Sequence, residues 1–362
     1  MKALVTGGAG FIGAHIVEQL LDDGAEVRVL DLLDPRLHPC GADQLDPRAE
    51  LISGDIRDPA VMRRAVAGVD TVCHQAAKVG LGVDFGDIGS YVAHNDVGTA
   101  VLLDALWHRG FGGRFVLASS MVVYGEGLGR CPDHGAVMPA PRRADDLAAG
   151  RFEPRCPTAG CRETTTWMGV TEDAYLDPRN VYAATKLHQE QLCAIWGRDS
   201  GATVVALRYH NVYGPRMPRD TPYAGVASIF RSALAAGHAP RVFEDGGQTR
   251  DFVHVRDVAR ANVLALTRAT VEAGAYNIAS GTPHTVGEMA DALAAAFAEA
   301  GSVGARGTAP PPKVTAAWRL GDVRHVVASS RKAAEHLGFV AGTTFADGMA
   351  ELARAPLRPA HR

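Results

Sequence analysis

A tyrosine and a lysine four residues apart, Tyr182 and Lys186, form the pair in this sequence best suited to acid–base chemistry. On a helix, residues at this spacing share one face, so the ammonium can stabilise a phenolate. Tyr182 could then accept a proton well below the usual tyrosine pKa of about 10. On spacing alone, the pair could also be two surface side chains with no shared task.

A serine pair, Ser119 and Ser120, ends the apolar run 114–119, which predicts a buried strand. In open α/β sheets, ligands bind beyond the carboxyl ends of the strands. A hydroxyl there can hydrogen-bond a reacting oxygen and share its proton with Tyr182. A serine pair in this position can also be a turn or a helix cap. Ser120, Tyr182 and Lys186 are therefore the candidate catalytic residues.

Glycines spaced G-x-x-G-x-x-G lie between the apolar run 2–6 and the helical pattern 11–22. Glycine permits a tight turn, the close approach of a pyrophosphate and the packing of a helix against a strand. The helix then presents its free N–H groups to the phosphates. This predicts a dinucleotide site whose contacts include Gly7, Gly10, Phe11, Ile12 and Gly13.

Carboxylates follow the second and third predicted strands. Asp31 would accept hydrogen bonds from the ribose hydroxyls of NAD and repel the extra phosphate of NADP. Arg28 and Arg36 flank Asp31, so NADP stays a less favoured alternative. Asp55 and the adjacent Ile56 could flank the adenine, although Asp55 could equally be an ordinary turn residue.

The elements that must position these residues follow from an alternation of short apolar runs with helical patterns. This alternation predicts a Rossmann-type α/β fold, a doubly wound parallel sheet with helices on both faces. Ala76 and Ala77, after the fourth strand, would let a cofactor lie against the backbone. The predicted strands are 2–6, 26–31, 50–54, 70–75, 114–119, 203–209 and 250–255, and the predicted helices are 11–22, 59–67, 90–109 and 183–199.

Length and composition narrow the class of protein. The 362 residues suggest about two domains. A net charge of −3 argues against nucleic acid or an anionic membrane as a partner. Six cysteines are too few for a disulfide framework, no leader precedes the first strand, and no apolar run is long enough to span a membrane. These features predict a cytoplasmic protein.

The stretch 126–179 interrupts the alternation and is rich in proline, glycine, arginine and cysteine, so we interpret it as an insertion. Cys131-x-x-His134 and Cys156-x4-Cys161 could supply four tetrahedral ligands to a structural zinc ion. The second pair is wider than the Cys-x-x-Cys of a zinc knuckle, and the alternative is an irregular loop with free thiols. Residues 301–313 are predicted to form a low-complexity linker.

The chain resembles the extended short-chain dehydrogenases/reductases of the NAD-dependent nucleotide-sugar epimerase/dehydratase family along nearly its whole length. The resemblance implies a tightly bound NAD, with Tyr182 as the base, Lys186 as its activator and ribose anchor, and Ser120 as the hydroxyl partner. The matching segments, in family order, are Thr6-Gly7-x-x-Gly10-x-x-Gly13, Asp55, His74-x-Ala76-Ala77, Asn95-x-x-Gly98-Thr99, Ser119-Ser120-x-x-x-Tyr124-Gly125, Tyr182-x-x-x-Lys186, Arg208-Tyr209-x-Asn211-x-Tyr213-Gly214-Pro215 and Arg250-Asp251-Phe252-Val253-His254-Val255.

The same resemblance implies the remaining site residues. Asn95 would belong to the cofactor site, and Met121 and Asn211 to the substrate site. Arg250 and Arg319 would clamp the substrate diphosphate, because a guanidinium fork donates two parallel hydrogen bonds to phosphate oxygens. Either arginine could instead form a surface ion pair.

The residues after the catalytic hydroxyl bear on the reaction. Dehydratases of this family carry an acid pair, typically Asp-Glu, where this chain has Met121 and Val122, which can neither donate nor accept a proton. With dehydration disfavoured, the reaction we expect is transient oxidation at C4 of the sugar followed by reduction on its other face, which is an epimerisation. The alternatives are a dehydrogenase or ketoreductase that releases reduced cofactor, and a non-enzymatic NAD-sensing protein.

The insertion is similar to a segment of dTDP-L-rhamnose 4-epimerases, which implies interconversion of dTDP-L-rhamnose and dTDP-6-deoxy-L-talose. The sequence leaves open whether the nucleotide is dTDP or UDP. We expect a dinucleotide-binding domain of residues 1–212 plus 249–278 and a smaller nucleotide-sugar-binding domain of residues 213–248 plus 279–355. The resemblance also implies a homodimer that packs through the predicted helices 90–109 and 183–199.

Overall fold

The structure, a computed structural model, describes residues 1–80, 85–219, 225–301 and 309–358. Its strands are β1 (Lys2–Thr6), β2 (Glu26–Asp31), β3 (Glu50–Ser53), β4 (Thr71–His74), β5 (Arg114–Ser120), β6 (Leu128–Cys131), β7 (Gly135–Val137), β8 (Thr166–Met168), β9 (Thr203–Tyr209), β10 (Asn211–Tyr213), β11 (Arg241–Val242), β12 (Thr249–His254), β13 (Gly274–Ile278), β14 (Pro283–Thr285), β15 (Lys313–Val314) and β16 (His325–Val326).

The helices of the described residues include two π-helical segments, Val92–Val97 and Ala333–Leu337. The α-helices are α1 (Phe11–Asp22), α2 (Pro59–Val66), α3 (Ile88–Tyr91), α4 (Gly98–His108), α5 (Ala144–Ala148), α6 (Val181–Ser200), α7 (Val226–Ala235), α8 (Val255–Thr267), α9 (Val286–Glu299) and α10 (Phe345–Arg354).

Seven parallel strands form the central sheet in the order β13-β9-β5-β4-β1-β2-β3. The order reverses between β1 and β4, so the loops that follow these two strands diverge and leave a crevice at their carboxyl ends. The predicted doubly wound α/β fold is therefore confirmed.

Apolar side chains cover both faces of this sheet. On one face, Ile16 and Leu20 of α1 pack with Val258 of α8, and all three are fully buried. On the other face, Leu102 and Leu106 of α4 join a second buried cluster. Because both faces are covered, the strands read as nearly continuous apolar runs rather than as alternating ones.

A smaller layer is built from later segments of the chain. β12 pairs with β10 and β16 in parallel and with β14 in antiparallel orientation. Helices α7, α9 and α10 enclose a separate apolar cluster that includes Phe230, Leu293 and Leu352. This layer matches the expected smaller C-terminal part, and the boundaries between the two domains stay a prediction.

The insertion contains its own short sheet. β6 pairs with β7 and β8 in antiparallel orientation, and α5 lies between β7 and β8 along the chain. Val170, just beyond β8, packs against Met121, Val123 and Tyr124, which follow β5. The insertion therefore contacts the segment that follows the candidate catalytic serine.

Most predicted elements agree with the structure to within about two residues, and three differ. The predicted strand 250–255 lies in the smaller sheet, while β13, which the sequence patterns did not reveal, completes the central sheet. The predicted helix 90–109 is divided by the π-helical segment. Residues 302–308 of the predicted linker 301–313 lie outside the described residues, and Lys313–Val314 form β15, which pairs with β11.

Candidate active site

Helix α6 presents the tyrosine and the lysine to the end of β5. The helix begins after Asn180, whose side chain accepts a hydrogen bond of 2.9 Å from the Ala183 amide, and it ends at Gly201, which has a left-handed φ of 75°. Lys186 and Gln189 lie on the buried face of the helix. The caps thus fix both ends of the helix that carries the predicted pair.

Ser120 lies where β5 ends and a short 3₁₀ turn, Met121–Tyr124, begins. Its hydroxyl caps this turn by accepting a hydrogen bond of 3.4 Å from the Val122 amide. The same side chain faces the Tyr182 hydroxyl closely enough to lower the pKa of that hydroxyl as a hydrogen-bond donor. Ser120 is therefore a cap, as the alternative expected, and its catalytic role stays a prediction.

Lys186 reaches the same place from the next turn of α6. Its Nζ lies 5.9 Å from the centre of the Tyr182 ring and donates a hydrogen bond of 2.8 Å to the Ala118 carbonyl. The structure thus brings Ser120, Tyr182 and Lys186 together at the carboxyl end of β5.

The protonation of this group differs from the expectation that Lys186 lowers the pKa of Tyr182. Burial raises the pKa of Tyr182 to about 12, and the hydrogen bond with Ser120 opposes this rise. Burial also lowers the pKa of Lys186 to about 8. Burial thus disfavours the charged form of both groups, and a further positive charge beside Tyr182 would favour the phenolate.

Asn95 links the catalytic helix to the loop after β4. It lies in the π-helical segment and is fully buried. Its side chain accepts from the Lys78 amide at 2.7 Å, and it donates to the Lys78 carbonyl at 3.0 Å and to the Thr185 hydroxyl at 2.9 Å. In this arrangement Asn95 positions the elements around the predicted cofactor site.

The glycine loop has the shape that a pyrophosphate requires. Gly7 has a φ of +69°, and a Cβ on it would lie 2.7 Å from the Ala76 amide nitrogen. A Cβ on Gly13 would lie 2.2 Å from the Gly7 carbonyl oxygen. Helix α1 begins after Gly10 without a side-chain cap, so the N–H groups of its first turn are available to an anion. The residues present therefore fit a dinucleotide.

Asp31 lies at the end of β2, beside the glycine loop. Its carboxylate accepts hydrogen bonds of 3.0 Å from the Ala9 amide and 2.9 Å from the Leu33 amide, and His38 lies 3.7 Å away. These bonds fix the carboxylate at the position where it was predicted to meet a ribose.

Arg28 and Arg36, which made NADP an alternative cofactor, contact groups other than Asp31. Arg28 pairs with Glu50 at 2.9 Å and donates to carbonyls around the end of α2. Arg36 forms an exposed pair with Asp34. Neither contact directs a guanidinium to the Asp31 carboxylate.

Asp55, Ile56, Ala76 and Ala77 stay predictions as cofactor contacts. The Asp55 carboxylate is held by the backbone and side chain of Arg57 at 2.8 and 2.9 Å, as in an ordinary turn. Ile56 is buried, and Ala76 contacts the same apolar cluster. The alanines follow β4 at the edge of the crevice that the glycine loop also lines.

Two of the predicted substrate residues, Asn211 and Met121, are buried or carry a buried polar atom. Asn211, at the start of β10, has a buried side-chain oxygen without a hydrogen-bond partner among the described residues. Met121 is buried beside Ser120. The roles of Asn211 and Met121 as substrate contacts stay predictions.

The predicted diphosphate arginines behave differently from each other. The Arg250 fork donates to the carbonyls of Val323 and Arg324 at 2.6 and 2.9 Å, and burial lowers its pKa to about 10. Arg319 is exposed and lies over the Phe243 ring at 5.1 Å. In this structure Arg250 therefore holds the segment that follows Arg319.

Behind the site lies a polar network that the sequence patterns did not reveal. Ser119 donates to Glu190, and Arg208 pairs with the same carboxylate at 2.8 Å and donates to Tyr124 at 2.8 Å. The i,i+4 spacing of Lys186 and Glu190 places both on one face of α6 and was the available signal. This network fixes β5 and β9 against α6.

The Cys/His residues of the insertion also converge. The ligand atoms of Cys131, His134, Cys156 and Cys161 all lie within 4.8 Å of one another. The predicted cluster is therefore present, and Cys131 places it at the end of β6 in the short sheet of the insertion.

Comparison with known proteins places this site in a family. Residues 3–145 and 163–279 match the model of the NAD dependent epimerase/dehydratase family. The chain belongs to this family. The family model skips part of the insertion, from residue 146 to 162, which carries Cys156 and Cys161.

Individual members of the NAD dependent epimerase/dehydratase family align over nearly the whole chain. A dTDP-L-rhamnose 4-epimerase of Burkholderia thailandensis is 32% identical over 97% of this chain and 93% of its own length. A dTDP-glucose 4,6-dehydratase of Actinoplanes sp. is 30% identical over 97% of this chain and 96% of its own. The structure of a Thermus thermophilus UDP-glucose 4-epimerase in complex with NAD superposes with a TM-score of 0.75 and 31% identity over 98% of both chains.

Proposed function

We propose that the protein is an NAD-dependent epimerase that inverts C4 of a nucleotide-linked deoxysugar through a transient 4-keto sugar. The observation that carries the proposal is the group formed by Ser120, Tyr182 and Lys186 beside the glycine loop. A hydroxyl pair backed by a buried ammonium can remove and return one proton at a carbinol.

Each catalytic residue has one task in this proposal. Tyr182 accepts the proton of the sugar 4-hydroxyl and later returns it, while Ser120 donates a hydrogen bond to the same oxygen. Lys186 stabilises the phenolate and holds the nicotinamide ribose. When bound, NAD would supply the hydride acceptor and donor for C4, and the positive nicotinamide ring would add the charge that favours the Tyr182 phenolate.

Apolar residues beside Ser120 favour epimerisation over dehydration. Met121 is buried there, and Val122 packs in the same apolar cluster. Elimination of a hydroxyl needs an acid and a base at these positions, and neither side chain can serve. The similarity to a dehydratase therefore supports dehydration less strongly than the similarity to the epimerases supports epimerisation.

The cofactor we propose is NAD rather than NADP. Asp31 would accept the ribose hydroxyls, and its negative charge would repel a 2′-phosphate. Arg28 is committed to Glu50 and to backbone carbonyls, so it cannot neutralise that phosphate without losing these contacts.

Replacing Asp31 with alanine is expected to weaken NAD binding and to reduce the discrimination against NADP, each by about tenfold, as for the loss of one charged hydrogen-bonding group. Titration of both cofactors by calorimetry measures the two effects. Asp23→Ala, which removes an exposed carboxylate at the end of α1, is the control. An unchanged cofactor preference in Asp31→Ala would remove this residue from the site.

The substrate we propose is dTDP-L-rhamnose, with dTDP-6-deoxy-L-talose as its 4-epimer. The Burkholderia thailandensis relative and the Cys/His insertion support this sugar, whereas the UDP-glucose 4-epimerases among the relatives support a UDP-sugar. We propose that Arg319 reaches the diphosphate, that Arg250 positions its segment, and that Asn211 meets the substrate with its free oxygen.

Incubation with dTDP-L-rhamnose, UDP-glucose or dTDP-glucose, without added cofactor, tests this choice. We expect NMR to show a new H4 coupling from dTDP-L-rhamnose, growing to a fixed ratio, and no 4-keto-6-deoxy sugar from dTDP-glucose. Faster inversion of UDP-glucose would overturn the proposed sugar but preserve the reaction, and a dehydrated product would overturn the reaction.

We propose a homodimer as the functional form. Val92 and Val97, beside α4, and Ile195 of α6 have exposed fractions of 40%, 46% and 51%. They lie on the two predicted dimer helices, and burying them between two copies would remove this apolar surface from water.

Among the described residues, no helix is long and apolar enough to cross a membrane. The cytoplasmic location stays a prediction.

A further inference from the structure

Three of the six separations among the ligand atoms of Cys131, His134, Cys156 and Cys161 match a tetrahedral metal site, and all six are within 4.8 Å. Cys131 Sγ and Cys156 Sγ lie 3.5 and 3.6 Å from His134 Nδ1, and Cys131 Sγ lies 3.8 Å from Cys161 Sγ. A zinc ion with bonds of about 2.3 Å to sulfur and about 2.1 Å to nitrogen holds its ligands about 3.6 to 3.8 Å apart. A disulfide would require sulfurs about 2.05 Å apart.

The backbone presents these ligands from two turns. Cys131 ends β6, and His134 lies in the turn to β7, which Gly135 completes with a φ of +69°. In the second turn, the Cys161 amide donates to the Thr158 carbonyl at 3.0 Å, and the Cys156 amide donates to the Glu163 carbonyl at 2.9 Å. The wider Cys-x4-Cys spacing is thus accommodated by a closed turn that directs both sulfurs to one point.

The secondary structure of the insertion is small. Its sheet consists of strands of only four, three and three residues. Elements this small rarely bury enough apolar surface to offset their ordering entropy, and natural domains of this kind are often held by a metal. A zinc ion would join the two turns and add to the contacts that hold this small sheet in place.

The insertion contacts the segment that follows Arg319, the residue proposed to bind the substrate diphosphate. Glu153, three residues before Cys156, accepts from Arg324 at 2.7 Å and contacts His325 at 2.9 Å. Arg324 is 2% exposed and also pairs with Asp245 at 2.7 Å. The insertion therefore holds the residues that directly follow the Arg319 turn.

A second contact acts on the same turn. Arg142, in the insertion, pairs with Glu244 at 2.8 Å and donates to the Asp322 carbonyl at 2.6 Å. The Asp322 amide in turn donates to the Arg319 carbonyl at 3.3 Å. Both sides of the insertion thus converge on the segment 319–325.

We propose that Cys131, His134, Cys156 and Cys161 bind a structural zinc ion, and that this ion fixes the insertion against the segment 319–325, so that the metal supports nucleotide-sugar binding and not NAD binding. The zinc site stands on its own geometry, while its effect on substrate binding rests on the proposed function.

The test begins with the full chain, produced in zinc-supplemented medium and analysed by inductively coupled plasma mass spectrometry. We expect about one zinc ion per chain. The double variant Cys156→Ser/Cys161→Ser should lose the zinc, whereas Cys40→Ser, at an exposed cysteine outside the cluster, should keep it. Substitution of cobalt for zinc should give the absorption of tetrahedral cobalt thiolate, a readout that needs neither the variant nor activity.

The second half of the test compares binding of the two ligands. Removal of the metal should raise the KM for the nucleotide sugar by about tenfold, lower the unfolding temperature, and leave the NAD content unchanged. A zinc content near zero together with no cobalt thiolate absorption would overturn the metal site. Zinc binding with an unchanged KM would overturn the coupling, and an inactive protein that still binds zinc would count against the proposed reaction alone.

Discussion

Replacing Tyr182 with phenylalanine is expected to abolish epimerisation while the protein still binds NAD. The substitution removes only the hydroxyl that faces Ser120, so the ring and its packing stay in place. Without it, the proton of the sugar hydroxyl loses its proposed acceptor between the end of β5 and the start of α6. We expect kcat to fall by a factor of about a thousand or more, as for the loss of a general base.

The control is Tyr175→Phe, which removes a hydroxyl from a tyrosine that is 70% exposed. This variant should keep full activity. Bound NAD, measured after release by denaturation, should be the same in both variants and in the unchanged protein. Substantial turnover by Tyr182→Phe would assign the proton transfer to another residue and contradict the mechanism.

Replacing Gly13 with alanine is expected to remove NAD from the purified protein. The added Cβ would lie 2.2 Å from the Gly7 carbonyl oxygen and 2.8 Å from the Gly8 Cα, which are backbone atoms of the glycine loop. The loop must shift to relieve this overlap, and the N–H groups of α1 then lose their alignment with the pyrophosphate. An affinity loss of about a hundredfold would correspond to about 3 kcal/mol.

Gly112→Ala provides the matched change. Gly112 lies in an exposed turn before β5, where an added Cβ would approach the Ser200 carbonyl oxygen no closer than 3.8 Å. We expect unchanged NAD affinity for this variant in fluorescence titration. Undiminished NAD binding by a folded Gly13→Ala would show that the glycine loop is not the pyrophosphate site.

The parts of the fold that sequence predicted best depend on local patterns. The glycine loop follows β1 and precedes α1 at the expected residues. Both its turn geometry and the apolar periodicity around it depend only on residues close in sequence. The spacing of Tyr182 and Lys186 likewise placed both on α6. Local signals of this kind do not depend on which segments meet in space.

What sequence did not predict depends on contacts between distant segments. Arg324 bonds to Glu153, 171 residues earlier, and Asn95 bonds to Thr185, 90 residues later. No periodicity reveals such partners. The strand β13 was missed for a related reason, because Gly274–Ile278 is short and its place at the sheet edge is set by pairing with β9. The pKa of Tyr182 also depends on burial that only the folded chain creates.

The most direct test of the epimerase proposal is to follow a deuterium atom placed at C4 of dTDP-L-rhamnose, using the purified protein without added cofactor. We expect a 4-epimer that retains the deuterium at C4, with no net release of reduced cofactor. A 4-keto sugar accumulating with reduced cofactor, or an epimer that has lost its C4 deuterium, would contradict transient oxidation and return of the same hydride.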